Sequence, residues 1–232
     1  MSGTVDLFTP VHKGLRSMIY ELSGRLQTTD FADGPSVATL TTDLENDFAV
    51  AQSAGCILCT LALHAHHEEA VVFPPSAKYA NRLVTTLIAE HHDLTRREQA
   101  IIQAAHELQE LPTAQSRIEA GAHLNRLANE LFAAYIAHMN REEVELAPLL
   151  RESFTDSEQL AMQGKIIASY PPDQLFAMVG WMLRSLNVTE LSEFVSSVKA
   201  GAPPPFLKAV SDLGEAKVEA ARWAEVRRRV GL

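Results

Sequence analysis

The stretch HAHHEEAVVFP, His64 to Pro74, returns 74 residues later as HMNREEVELAP, His138 to Pro148. Each copy reads His-x-x-x-Glu-Glu-x-x-x-x-Pro. Recurrence at fixed spacing points to a duplicated unit, one helical hairpin in each half. Histidine and glutamate at i and i+4 share a helix face with Cβ atoms about 5–6 Å apart, within reach of one metal ion. Nine histidines and 29 acids in 232 residues give about one such pair by chance, and three occur. The shared second glutamate and proline separate His64–Glu68 and His138–Glu142 from the third pair, His106–Glu110.

Outward from the repeat, the apolar period is helical and no segment alternates as a strand would. Thr9 with Pro10 opens a first helix whose apolar positions are Val11, Leu15, Met18, Ile19, Leu22 and Leu26. After a loop at residues 28–35, a second helix starts between Ser36 and Thr42, where Thr42 and Glu45 fit a capping box, and stops before Pro74-Pro75. A third runs from Ala77 to Glu110, ahead of Pro112, and a fourth from Thr113 to the neighbourhood of Pro148. The expected fold is all-α, an up-down-up-down four-helix bundle over residues 8–152 with an additional helical region at 153–232. In that region Thr155 and Glu158 form a capping box, Pro171-Pro172 opens a helix through Ser185, Thr189 caps another, and a last helix after Gly201 to Pro205 ends in Arg227-Arg228-Arg229.

Twenty basic against 29 acidic side chains leave a net charge of −9, a field that repels phosphate backbones and anionic membranes. Neither nucleic acid nor membrane is an expected partner, and with no export signal or apolar span of about 20 residues the expected location is cytoplasmic. Cys56 and Cys59 have C-x-x-C spacing but lie in an apolar helical stretch, which reads as core. The arginines of the last turn complement the helix dipole. Trp181 with Met178, Met182 and Leu183 forms a face for docking on the bundle, on a second subunit or on another protein.

Each half also carries a histidine upstream of its repeat: His12 lies 52 residues before His64 and His91 lies 47 before His138. Because the repeats sit at the same end of helices two and four, His12, His64, Glu68, His91, His138 and Glu142 can converge inside the bundle. Imidazole and carboxylate without thiolate suit iron, manganese or zinc, and six donors exceed the four that close a structural zinc site. Two ions bridged by Glu68 and Glu142 fit the set. Glu69 and Glu143 are placed to orient ligating imidazoles; His66, His67 and His92 adjoin ligands, His106 and His123 read as surface, and Tyr135 reads as core beside the site.

With His12-x-x-Leu15-Arg16, the two His-to-Pro phrases and Glu90-His91-x-x-Leu94 in order, residues 8–152 resemble the hemerythrin-like, or HHE cation-binding, domain. The resemblance implies a non-haem di-iron centre, oxo- and carboxylate-bridged, with those six residues as ligands and a small diatomic or peroxide molecule as its partner. It implies a protein that binds or senses dioxygen, nitric oxide or reactive oxygen species; the alternatives are a di-iron oxidase or peroxidase acting on hydrogen peroxide, and a metal-poor helical interaction module. Oxygen-carrying hemerythrins place another histidine four residues after the one on helix three. Here that position is Thr95, which implies an extra open coordination position and favours redox chemistry or sensing over storage.

Overall fold

The computed structural model describes residues 5–49 and 57–232, without the side chains of residues 42, 43, 45–49, 57 and 59. Among the described residues every regular element is helical. The first is α1, Thr9–Thr28, followed by α2, Gly34–Ala49, and α3, Ile57–His67; a π-turn at Glu68–Val72 joins α3 to α4, Phe73–Gln109. Then α5, Ala114–Arg141, passes through a second π-turn at Glu142–Leu146 into α6, Ala147–Ser153. Five helices complete the chain: α7 (Asp156–Ser169), α8 (Pro172–Ser185), α9 (Val188–Gly201), α10 (Pro204–Lys217) and α11 (Ala220–Val230).

Local chemistry sets these boundaries, in places against the sequence expectation. The cap of α1 is Asp6, whose carboxylate accepts from the N–H groups of Phe8 and Thr9 at 3.0 and 2.9 Å, so Thr9 is already helical. Asp33 accepts from the Ser36 N–H at 2.9 Å and starts α2 at Gly34, which leaves Thr42 and Glu45 inside the helix instead of at its cap. Thr113 caps α5 and Thr155 caps α7 with Glu158. Asn187, not Thr189, caps α9. The last expected helix is two, because Glu219 caps a new start through the Ala221 and Arg222 N–H groups.

The largest departure is at the prolines. Pro74 and Pro148 do not end their helices; each follows a π-turn that closes from Phe73 N–H to Glu68 C=O, or from Ala147 N–H to Glu142 C=O. A proline ring clashes with the carbonyl four residues back and donates nothing, and the wider i→i+5 turn moves that carbonyl away. The break in α4 comes later, at Ala80 (φ −144°, ψ 58°). Cys56 lies outside the described residues, as does the Cys59 side chain.

α1 packs on α3 and α5, α2 on α3 and α4, and α4 on α5, closing a four-rod ring. Leu15, Ile19, Leu61, Leu94, Leu131 and Tyr135 belong to its long apolar core, while Phe8, Val72, Phe73, Leu87, Leu146 and Leu150 form a separate cluster at one end. The face around Met178 and Trp181 is spent on the bundle itself: α8 lies against α1, and a Cβ on Gly14 would stand 2.5 Å from Met178 Cε and 3.3 Å from the Met182 nitrogen. Lys13–Glu190 and Arg184–Glu21 ion pairs flank that contact. Helices α8 to α11 share another core around buried Trp223. No helix of the described residues is long and apolar enough to cross a membrane.

Candidate metal centre

All six expected residues meet between the two apolar clusters, each no more than 8% exposed. His12 enters from α1, His64 from α3, His91 from α4 and His138 from α5, while Glu68 and Glu142 open the π-turns. Their ligand atoms form two groups, His12–His64–Glu68–Glu142 and Glu68–His91–His138–Glu142, with each group's atoms within 4.8 Å of one another. Both carboxylates belong to both groups. One Glu68 oxygen lies 3.1 Å from His64 Nε2 and the other 3.4 Å from His91 Nε2. Those of Glu142 lie 3.4 Å from His12 Nε2 and 3.3 Å from His138 Nε2.

These contacts are not satisfied hydrogen bonds. All four carboxylate oxygens are buried without a properly aligned donor. The Nδ1 atoms of His12, His91 and His138 face Glu143, Glu69 and Glu90 at 2.9, 2.8 and 2.8 Å. A carboxylate at Nδ1 keeps a proton on that nitrogen, so a ring that gives up its Nε2 proton turns that lone pair inward. Inward lone pairs then confront one another, His12 with His64 at 3.1 Å and His91 with His138 at 2.8 Å. Opposed lone pairs beside buried anionic oxygens repel unless a metal ion, or protons on the rings, supply positive charge among them. The donor set, two imidazoles and two shared carboxylates per group, fits a pair of metal ions.

The electrostatics describe the same deficit of positive charge. Burial would push the Glu68 carboxyl up, but the His64, His12 and His91 imidazoles hold it well below its usual range. Burial would lower His12, yet Glu143, Glu68 and Glu142 raise it to about 8; His138, opposed by burial likewise, is raised to about 9 by Glu142, Glu68 and Glu90. Glu143, despite partial burial, falls to about 2 beside His12 and Arg16.

The spacing of Glu69 and Glu143 anticipates what they do, and their connection is crossed: the second glutamate of each repeat grips the first histidine of the other half. Arg16 steadies Glu143 at 2.8 Å, and Arg141 steadies Glu90 at 2.9 Å. The sequence reading uses Glu90 only as part of the Glu90-His91-x-x-Leu94 phrase and gives it no place at the site. Its position immediately before His91 was the available signal, since that side chain faces the neighbouring rod. His66, His92, His106 and His123 are exposed. His67 is buried but turned from the centre, its Nε2 2.9 Å from Ser169 Oγ and its ring 4.4 Å from that of Tyr170. Thr95 corrects another expectation: it is exposed, because the inward stripe of α4 runs His91, Leu94, Glu98, Ile101. An open position therefore cannot be read from that residue.

Sequence periodicity also misses Glu98. It is buried two turns from His91 and accepts a hydrogen bond from the buried Tyr135 hydroxyl. Burial pushes its carboxyl up to about 7 despite that bond and the His91 charge.

Comparison with known proteins agrees with this architecture. The Hemerythrin HHE cation binding domain family matches residues 3–150. The curated protein Zinc finger protein BRUTUS-like of Arabidopsis thaliana is 26% identical over 200 residues, covering 86% of this chain and 15% of that protein. The chain thus spans about 15% of the length of the curated relative it matches. No solved structure matches. Family and buried histidine–glutamate groups together point to a metal-binding site.

Proposed function

The chain belongs to the Hemerythrin HHE cation-binding domain family, and on that premise we propose that it is a non-haem di-iron protein that binds or senses dioxygen, nitric oxide or reactive oxygen species. The observation that carries this reading is the set of four donorless carboxylate oxygens of Glu68 and Glu142, buried among four inward-turned imidazole nitrogens. His12 and His64 would hold one ion and His91 and His138 the other, with Glu68 and Glu142 shared. Iron bound there supplies a Lewis acid and a source of electrons for small oxidising ligands.

The protein's own part is to hold and to exclude. Glu143, Glu69 and Glu90 keep the proton of three imidazoles on Nδ1 and leave Nε2 free to donate. Phe8 packs on His12 and Phe73 stacks on His91, each with ring centroids 5.4 Å apart, which limits water at the end of the bundle. Leu15, Leu61 and Leu94 lie in the apolar core on the other side. Six protein donors without thiolate favour iron over zinc, with manganese as the nearest competitor.

Metal analysis of aerobically purified protein should give two irons per chain with near-ultraviolet absorption. His64→Ala and His138→Ala should each lose most of that iron. Full metal retention by both would overturn the ligand assignment. Bleaching on oxygen removal would support binding or sensing, and catalytic loss of hydrogen peroxide would move the reading to the oxidase or peroxidase class.

A further inference from the structure

The two halves of the centre correspond residue for residue: His12 with His91, His64 with His138, Glu68 with Glu142 and Glu69 with Glu143. Their outer supports do not. The crossed pairs Glu143–His12 and Glu69–His91 are matched, at 2.9 and 2.8 Å. His138 has in addition Glu90 on its Nδ1 at 2.8 Å, itself held by Arg141. Glu90 directly precedes His91, and the residue that directly precedes His12 is Val11, which packs against the apolar core and offers no acceptor. Among the described side chains no carboxylate lies against His64 Nδ1. The His64 side chain is also the most accessible of the four imidazoles, at 10% against 0%, 3% and 3% for His12, His91 and His138.

A carboxylate on Nδ1 raises the basicity of Nε2 and prevents the ring from turning off the metal, and its loss costs about 10- to 100-fold in metal affinity. Glu68 and Glu142 are common to both positions and cannot compensate one of them selectively. From this asymmetry, and resting on the two-ion reading above, we infer that the positions are unequal: the ion held by His12 and His64 exchanges readily, and the ion held by His91 and His138 is retained. Glu90 is the positioning residue that makes the difference.

The full chain, loaded anaerobically with ferrous iron, is mixed with excess ferrous chelator and the coloured chelate is followed in time. The wild type should lose its two ions in two phases of equal amplitude, with rates about 10- to 100-fold apart. Glu90→Val, which gives the second position the side chain of the first, should bring the slow phase into the fast one. Val11→Glu should slow the fast phase. Glu90→Gln, close in shape and safe for folding, should accelerate the slow phase by a smaller factor. A single phase in the wild type, or two phases unchanged by both Glu90 variants, would overturn the inference while leaving the two-ion centre intact. Loading of fewer than two ions by the wild type would instead overturn the reading on which it rests.

Discussion

Glu98→Gln should make the protein more stable in mildly alkaline solution and leave it nearly unchanged in acid. Glu98 is 6% exposed, and burial lifts its carboxyl from an ordinary 4.5 to about 7. Below pH 4.5 both folded and unfolded chains carry the proton. Between pH 4.5 and 7 the unfolded chain releases it first, so the stability tied to the protonated carboxyl is lost as pH rises, at about 1.4 kcal/mol per unit. Over that window the loss comes to about 3 kcal/mol. Glutamine keeps an oxygen for the Tyr135 hydroxyl and carries no charge, so the variant escapes the loss. Urea unfolding of both proteins, from pH 4.5 to 9, gives the difference directly; comparing them cancels the groups that do not face Glu98. The expected curve starts near zero, climbs to pH 7 and levels at about 3 kcal/mol in favour of the variant. A difference that stays flat across the range would refute the claim that Glu98 is forced toward its neutral form.

Other substitutions follow from the packing. Gly214→Ala would put a Cβ 2.3 Å from the rigid Trp223 ring, so it should destabilise α8 to α11 by about 1–3 kcal/mol and shift tryptophan emission, with metal content unchanged. Thr95→His adds an imidazole on the exposed face of α4 and should leave the metal content and visible spectrum as they were; an altered spectrum would show that this residue does reach the centre.

Four rods and their six converging side chains were legible because both rest on period and repetition: Leu15, Ile19 and Leu22 mark one face of α1, and the His64 and His138 phrases mark one height in the bundle. The π-turns were not. A proline removes a donor wherever it stands, so Pro74 and Pro148 look like terminators, and nothing in apolar spacing shows that the preceding carbonyl has swung aside. Glu98 escaped for a related reason: a charged residue on an inward stripe reads as surface until its partner, Tyr135 from another helix, is known. Glu90 is supported by a pairing 48 residues away in sequence, beyond any local pattern. The division between α10 and α11 depends on Glu219 turning its carboxylate back to two N–H groups, which a basic run at the chain end conceals.

The crossed grip between repeats has a consequence for how the chain must be built. Severed at the Ala80 break in α4, it would yield two hairpins, each with a glutamate reaching for a histidine it no longer owns. Neither fragment would be self-sufficient, and assembly would become bimolecular, weakening as the fragments are diluted. Covalent continuity replaces that dependence with a fixed effective concentration, so the intact polypeptide can keep its centre together at any dilution.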